Sequence, residues 1–237
     1  MKILALDSSG LVASAAVVED DVLIAEYTTD YKKTHSQTLL PMLDEIRQMI
    51  DLDLHTIDAI AISAGPGSFT GLRIGAATAK GLGLALNLPL VEVPTLEGLA
   101  FNLWGTDKLV CPIMDARRNQ VYAAFYMWEN GKLIRLTDHM AESIERVIEI
   151  AEMLEHEVIF LGDGVPVHRE RLEQNPAFLF APAHCNMQRA SAVATLGAIM
   201  AEEGLAKPGN AFELIYLRKS QAEREREARL AKEEAGE

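Results

Sequence analysis

The sequence contains little cysteine and no long apolar run, and each of these absences excludes a class of protein. Two cysteines among 237 residues are too few for a disulfide framework or a cysteine-rich metal cluster. No apolar run is long enough to span a bilayer. The chain opens on a strand-like pattern instead of an apolar leader with a cleavage site. We therefore expect a cytoplasmic protein with no membrane partner.

Basic charge is also scarce. The chain has 22 lysines and arginines against 35 aspartates and glutamates, which gives a formal net charge of −13 at pH 7. Because phosphate contacts dominate the affinity of proteins for nucleic acids, a chain this acidic is a poor direct binder of RNA. If it serves RNA chemistry, a partner is expected to supply the basic surface. Arg117 and Arg118 are paired bases that could meet a phosphate, a partner's carboxylate or an acid in their own loop.

The histidines and serines do not match a catalytic or metal-binding motif. No two of the six histidines stand four residues apart, which removes the His-x-x-x-His pair of a helical metal site. Ser8 and Ser9 could act as nucleophiles, but no histidine and aspartate pattern supplies a base for them. We therefore predict no catalytic residue and no metal ligand, which disfavours a metallopeptidase.

The most distinctive stretch is a glycine-rich corner from Ala64 to Gly75, between a buried strand and a helix. It could cradle a phosphate, but no lysine follows at the spacing of a P-loop. Thr70 stands where a dinucleotide fingerprint has its third glycine. Small residues then recur every fourth position along the helix, at Gly71, Gly75, Ala79 and Gly83. We therefore favour a close helix–helix interface over a phosphate site.

The order of predicted elements repeats once along the chain. Each half runs strand, strand, strand, helix, strand, helix, strand, and Asp7 and Asp115 end the first strand of each unit. The matching glycines Gly65 and Gly162 end the fourth strand. We predict a lobe at 1–105, a second and smaller lobe at 106–206, a return segment at 207–220 and a charged tail at 221–237.

In the second half, the boundaries of two strands follow from one turn. The dipeptide Asn130–Gly131 is typical of a two-residue hairpin. We therefore expect the second and third strands of this lobe at Gln120–Trp128 and Leu133–Leu136.

Several motifs, in this order, make the chain resemble the TsaB family, whose older name is YeaZ. The resemblance covers nearly the whole chain, and the glycine motif Gly65–Gly75 is its most specific part. The others are Asp7-Ser-Ser9, His35-Ser-Gln37, Asp115-Ala-Arg-Arg118, Gly162-Asp-Gly164 and Tyr216-Leu-Arg218. The resemblance implies an α/β fold with two tandem RNase H-like lobes, of mixed sheets flanked by helices, as in actin-like ATPases, Hsp70 and sugar kinases.

The resemblance also implies a function in making threonylcarbamoyladenosine at position 37 of tRNA. It implies a non-catalytic partner subunit that binds and activates the paralogue TsaD, which transfers the threonylcarbamoyl group, with the P-loop ATPase TsaE as a further partner. We expect a homodimer in isolation and contact with tRNA only through the complex. No tightly bound cofactor is expected in this chain, whereas ATP or ADP could bind at the complex with its partner. The alternative is a stand-alone actin-like ATPase or small-molecule kinase.

Two sets of site residues follow from the resemblance. In actin-like ATPases, aspartates at such strand ends organise Mg²⁺ and phosphates. A vestigial nucleotide cleft is therefore expected at Asp7, Ser8, Ser9 and Asp115, unless the aspartates are structural and bonded to loop N–H groups. The partner interface is expected on the two helices of the first lobe, at His35, Leu39, Leu43, Ile46, Gly71, Gly75, Ala79 and Gly83.

Overall fold

The computed structural model describes residues 1–31 and 33–218, which form two sheets. In the first sheet, three antiparallel strands are followed by two parallel ones, in the order β3-β2-β1-β4-β5. These strands are β1 (Lys2–Asp7), β2 (Ala13–Glu19), β3 (Val22–Thr29), β4 (Ala59–Gly65) and β5 (Leu90–Pro94). The central strands are buried because helices cover both faces of the sheet.

The helices of the first lobe are α1 (His35–Met49), α2 (Phe69–Leu86) and α3 (Thr95–Phe101). α1 turns an apolar face toward the sheet, formed by Leu39, Met42, Leu43 and Ile46. α2 begins where the Ser68 hydroxyl accepts a hydrogen bond from the Gly71 N–H at 3.3 Å. Its last turn closes at Asn87, which adopts the left-handed conformation of a helix C-terminus.

The second sheet repeats the first. Its order is β10-β7-β6-β11-β12, with two antiparallel pairs followed by two parallel pairs. The strands are β6 (Leu109–Asp115), β7 (Gln120–Ala123), β8 (Tyr126–Glu129), β9 (Lys132–Arg135), β10 (Met140–Ser143), β11 (Val158–Leu161) and β12 (Phe178–Phe180). β8 and β9 form a hairpin that pairs with β6 outside this order. The two sheets therefore share their order and strand directions, which confirms the predicted duplication.

The expected strand Gln120–Trp128 is wrong, because the chain breaks there into β7 and β8. At the break the Phe125 N–H donates to the Thr137 hydroxyl at 3.1 Å. The expected third strand, Leu133–Leu136, forms most of β9 in the hairpin, and β10 takes its place in the sheet. No glycine, proline or polar turn residue marks the break, so the sequence has no local signal for it. The turn at Asn130–Gly131 is confirmed, with φ of 51° and 76°.

The remaining helices are α4 (Ile144–Met153), α5 (Gly164–Leu172) and α6 (Ala190–Glu202). α6 follows the second sheet in sequence but packs on the first sheet, where Ala190, Val193 and Ala194 join its core. The approach is close, since a Cβ at Gly197 would lie 2.5 Å from the Ala61 Cβ. This helix therefore packs with the first lobe, although it lies in the range predicted for the second lobe.

The C-terminal segment, which we define as residues 207–218, returns along the first lobe. Leu90 and Lys207 exchange backbone hydrogen bonds of 2.7 and 2.8 Å, and Phe212 enters the core of the lobe. The predicted charged tail at 221–237 lies outside the described residues. Among the helices of residues 1–31 and 33–218, none has the length and apolar character needed to cross a membrane.

The substitutions Gly197→Ala and Gly81→Ala make the same change in two helices with opposite surroundings. Among the described residues, a Cβ at Gly81 meets nothing within 4 Å, whereas one at Gly197 meets the Ala61 side chain. Gly81→Ala should raise the free energy of unfolding by about 0.5–1 kcal/mol through helix propensity. Because of overpacking, the free energy of unfolding of Gly197→Ala should be about 1–3 kcal/mol lower than that of Gly81→Ala, as measured by urea denaturation. Equal stabilities would contradict the packing of α6 on the first sheet.

Candidate functional site

The glycine corner between β4 and α2 packs against backbone from two other parts of the chain. A Cβ at Gly67 would lie 2.3 Å from the carbonyl oxygen of Ser9, in the turn after β1. Gly65 has φ +116°, and a Cβ there would lie 2.3 Å from the carbonyl oxygen of Ile215. The close backbone approach expected from the glycines is therefore present. The approaching backbones belong to this chain, however, and not to a partner.

The small-residue stripe of α2 also faces inward. A Cβ at Gly71 would lie 2.1 Å from the Ser8 carbonyl oxygen, and one at Gly75 would lie 2.5 Å from the Ser8 hydroxyl. At Gly83 the nearest atom would be a Leu90 methyl at 3.0 Å. The same lobe buries the remaining apolar residues of the predicted interface, namely Leu39, Leu43, Ile46 and Ala79. Partner contact by this set stays a prediction, but its inward orientation leaves the accessible surface to other residues of α1 and α2.

His35, the polar member of the predicted interface, connects α1 to the turn after β1. Its Nε2 lies 2.9 Å from the Gly10 carbonyl oxygen, while its Nδ1 is buried and has no hydrogen-bond partner within the described ranges. Because a carbonyl only accepts hydrogen bonds, Nε2 must carry the ring proton. The ring therefore stabilises this turn from the helix side.

The two lobes enclose a cavity of about 630 Å³ where β1, β4, β6 and β11 end. Its walls include Ser9, Gly67, Asp115, Asp163 and Tyr216. Ligands of α/β proteins bind preferentially outside the carboxyl ends of strands, in crevices between such elements. This cavity, which we call the cleft, is therefore the candidate functional site.

Asp7 and Ser8 do not line the cleft. The buried Asp7 carboxylate accepts hydrogen bonds from the Ser9 N–H at 2.8 Å, from the Ser9 hydroxyl at 2.7 Å and from the Ser63 hydroxyl. Burial raises the pKa of Asp7, and these hydrogen bonds oppose the rise. The Ser8 hydroxyl donates to the Gly71 carbonyl oxygen at 2.9 Å. A nucleotide role for this set stays a prediction, and of its members the structure brings Ser9 and Asp115 to the cleft.

Asp115 meets a second carboxylate that the sequence analysis did not select. The Asp115 N–H donates to Asp163 Oδ1 at 2.9 Å, and burial raises the pKa of Asp163 to about 6. The Asp115 side chain in turn accepts a hydrogen bond from the Arg117 N–H at 2.8 Å. The motif Gly162-Asp-Gly164 at the end of β11 was the available signal for Asp163. In the described residues, no three potential metal-ligating side chains are grouped closely enough to hold a metal ion.

The C-terminal segment forms another wall of the cleft. The Ile215 N–H donates to the Ala64 carbonyl oxygen at 2.7 Å, and the rings of Phe69 and Tyr216 lie 5.2 Å apart. Beyond them, Arg218 Nη1 donates to the Ala116 carbonyl oxygen at 2.8 Å. The segment therefore crosses from the first lobe to the second. The motif Tyr216-Leu-Arg218 was visible in the sequence, but its place in the cleft was not.

Comparison with known proteins finds relatives over most of the chain. A family model described as "TsaD: tRNA N6-adenosine threonylcarbamoyltransferase" matches residues 23–225. The "tRNA threonylcarbamoyladenosine biosynthesis protein TsaB" of Bacillus subtilis strain 168 is 36% identical over 173 residues, which cover 73% of this chain and 76% of that relative. The protein of the same name from Escherichia coli K12 is 35% identical over 168 residues, or 69% of this chain and 72% of the relative.

Solved structures agree on the fold. A Pseudomonas aeruginosa crystal structure, described as an uncharacterized protein with similarity to peptidase YEAZ, matches with a TM-score of 0.79 at 28% identity. The match covers 92% of this chain and 99% of that one. The activator of 2-hydroxyisocaproyl-CoA dehydratase from Clostridium difficile matches with a TM-score of 0.50 at 10% identity over 86% of this chain and 97% of that one, a likeness of fold alone. The predicted fold class, two actin-like ATPase lobes, is confirmed.

The buried Asp163 predicts a defined dependence of stability on pH. Its pKa is raised from 3.8 to about 6 in the folded state, so between these values the folded chain binds more protons than the unfolded chain. Stability is therefore lost as the pH rises through this window. The substitution Asp163→Asn, which is neutral throughout, should raise the free energy of unfolding at pH 8 by about 2–3 kcal/mol.

The measurement is urea denaturation at a series of pH values. The difference in free energy of unfolding between Asp163→Asn and the unsubstituted chain should shrink toward zero below pH 4. Asp107→Asn is the control, since it makes the same change at a side chain that is 91% exposed. A difference that stays constant with pH would contradict the raised pKa of Asp163.

Proposed function

The chain belongs to the TsaB family, and we propose that it is the non-catalytic partner subunit of a TsaD-type transferase. Relatives that match it over about three quarters of their length are named tRNA threonylcarbamoyladenosine biosynthesis proteins. The chain thus takes part in the synthesis of this modified nucleoside. In the proposed role it binds and activates TsaD, and it contacts tRNA only through that complex.

The observation that supports docking is the outer face of α2. Ala77, Gly81 and Ala85 are exposed and recur every fourth residue, on the side opposite the buried stripe. Leu84 lies on the same face and is 87% exposed. Because no atom of residues 1–31 and 33–218 lies within 4 Å of a Cβ at Gly81, the backbone of a second helix can approach this face closely.

Neighbouring surface extends this apolar face. A groove of about 700 Å³ opens between α2 and the C-terminal segment, with Leu84, Leu88 and Pro208 among its lining residues. Apolar surface of this extent marks an interaction site more often than a solvated face.

A partner with the same fold would fit this face. The TsaD family model matches residues 23–225 of this chain, a range that includes α1 and α2. A paralogue can therefore present the corresponding pair of helices, and the two pairs would meet in a four-helix contact around a two-fold axis. A second copy of this chain can do the same. In this proposal the homodimer competes with the TsaD heterodimer, and TsaE joins the complex that contains TsaD.

The polar groups at the end of β1 support a role without chemistry of its own. The Asp7 carboxylate is occupied by Ser9 and Ser63, and the Ser8 hydroxyl is occupied by the Gly71 carbonyl. A nucleophile or general base must instead be free to reach the reacting atoms. We propose that this end of the cleft maintains the shape of the lobe.

A charge on the outer face of α2 should block docking without unfolding the chain. Leu84→Asp places a carboxylate at the centre of the proposed contact, and we expect its affinity for TsaD to fall about 30-fold or more. Modified tRNA should fall in parallel when TsaD, TsaE and the synthase that makes threonylcarbamoyl-AMP are combined with the variant. A bulky substitution on the inner stripe would not test this contact. Gly75, for example, packs against Ser8 and Ile62 inside the lobe, so Gly75→Leu would disturb the fold itself.

Met153→Asp is the matched control. Met153 lies on α4 in the second lobe and is 76% exposed, so the same change there should leave TsaD binding and tRNA modification intact. Full activity of Leu84→Asp would exclude this face as the docking surface. Micromolar binding and hydrolysis of ATP by the isolated chain, measured by calorimetry and phosphate release, would instead favour the stand-alone ATPase.

A further inference from the structure

A second cavity, of about 610 Å³, lies on the second lobe beside the cleft. The β6–β7 loop forms one side, with Arg117, Arg118 and Asn119, and α5 forms the other, with His168 and Arg171. We call this cavity the arginine pocket. Two carboxylates, Asp115 and Glu170, also line it. The proposed docking face does not include it, because α1 and α2 belong to the first lobe.

The charges of the arginine pocket are only partly paired. Arg117 forms an ion pair with Asp115 at 3.4 Å, and Arg171 is paired with Glu145 on α4. Within residues 1–31 and 33–218, no carboxylate forms an ion pair with Arg118. Of the three arginines that line the pocket, Arg118 is therefore the one whose guanidinium has no carboxylate partner among these residues.

His168 provides a second unsatisfied group in the same pocket. The residue is 5% exposed, and its buried Nε2 has no hydrogen-bond partner in the residues that the structure describes. Burial lowers the pKa of His168, so the ring is neutral near pH 7 and has one N–H donor and one acceptor. A buried polar atom without a partner is destabilising, and a ligand that reaches the ring would supply the missing hydrogen bond.

The loop conformation places both arginines at this pocket. Arg117, Arg118 and Asn119 have φ of 65°, 57° and 58°, a left-handed run that is uncommon for residues with side chains. Backbone hydrogen bonds close the loop, from the Ala116 N–H to the Gln120 carbonyl at 2.9 Å and from the Gln120 N–H to the Arg117 carbonyl at 3.2 Å. Conformational cost of this kind is usually retained at functional sites.

We propose that the arginine pocket binds a phosphate group, with Arg118 as its principal ligand and His168 as a hydrogen-bond partner. A guanidinium can bond two phosphate oxygens at once, which compensates for the carboxylates at the rim. The strongly acidic chain repels polyanions at long range, so recognition here depends on direct contact. The phosphate group could belong to a nucleotide or to an RNA backbone.

The test is an NMR titration of the isolated, full-length protein with inorganic phosphate at constant ionic strength. Saturable shifts are expected for the amides of 115–119 and for the ring of His168. Arg118→Ala should weaken phosphate binding about tenfold, since it removes the bidentate contact. Arg118→Lys, which retains the charge but not the fork of donors, should give an intermediate affinity.

Arg146→Ala is the matched control, because Arg146 is an exposed arginine of the same lobe that pairs with Glu149. It should bind phosphate as the unsubstituted chain does. Shifts that do not saturate, or that are equal in Arg118→Ala, would overturn the proposal. Acetate that binds as tightly as phosphate would also overturn it, since the ligand would then be a carboxylate.

Two further titrations distinguish the sources of the phosphate. A nucleotide source predicts that AMP shifts the same residues as inorganic phosphate, while an oligoribonucleotide without terminal phosphates does not. An RNA source predicts the reverse, with an affinity that falls with salt by roughly 0.7 log units per log unit for each backbone contact. Neither measurement requires TsaD, so failure here would leave the proposed docking on α2 intact.

Discussion

The structure depends on the close contact of three backbone segments at the glycine corner. At Gly65, Gly67 and Gly71, a Cβ would lie 2.1 to 2.3 Å from a carbonyl oxygen of another segment, a distance that no side chain tolerates. The contact fixes the turn after β1 against the start of α2. It also holds the C-terminal segment on the first lobe, from which that segment reaches the second. The shape of the cleft therefore follows from the absence of side chains.

This constraint assigns the two sides of α2 to different purposes. The inner stripe is used by the chain itself, against Ser8, Ile62 and Leu90. The outer stripe at Ala77, Gly81 and Ala85 is exposed in the part of the chain that the structure describes. In the same way, Asp7 is occupied by hydrogen bonds within its lobe. A fold whose polar groups at the end of β1 are internally bonded and whose α2 face is exposed fits the proposed role of a partner subunit.

Features set by local chemistry could be predicted from the sequence. The duplication was visible because strand and helix periodicities and turn residues repeat, and the hairpin turn at Asn130–Gly131 needs only its own two residues. The break at Ala124–Phe125 could not be predicted, since it depends on a hydrogen bond that the Phe125 N–H donates to the hydroxyl of the distant Thr137. The packing of α6 on the first sheet was hidden for the same reason. Its apolar residues fit either lobe, and only the three-dimensional path of the chain selects one.

By itself, the sequence determined the family and the fold class. It also determined the need for a close backbone approach at the glycine corner, because the spacing of residues there excludes the phosphate motifs. Only the tertiary structure decided which backbones approach. They are the turn at Ser8 and Ser9 and the segment at Ile215, and a periodic pattern cannot identify a neighbour that is distant in sequence. The tertiary structure also brought Asp163 to Asp115, and Arg118 to His168. These groups come from different elements, so their proximity is set by the fold and not by their spacing along the chain.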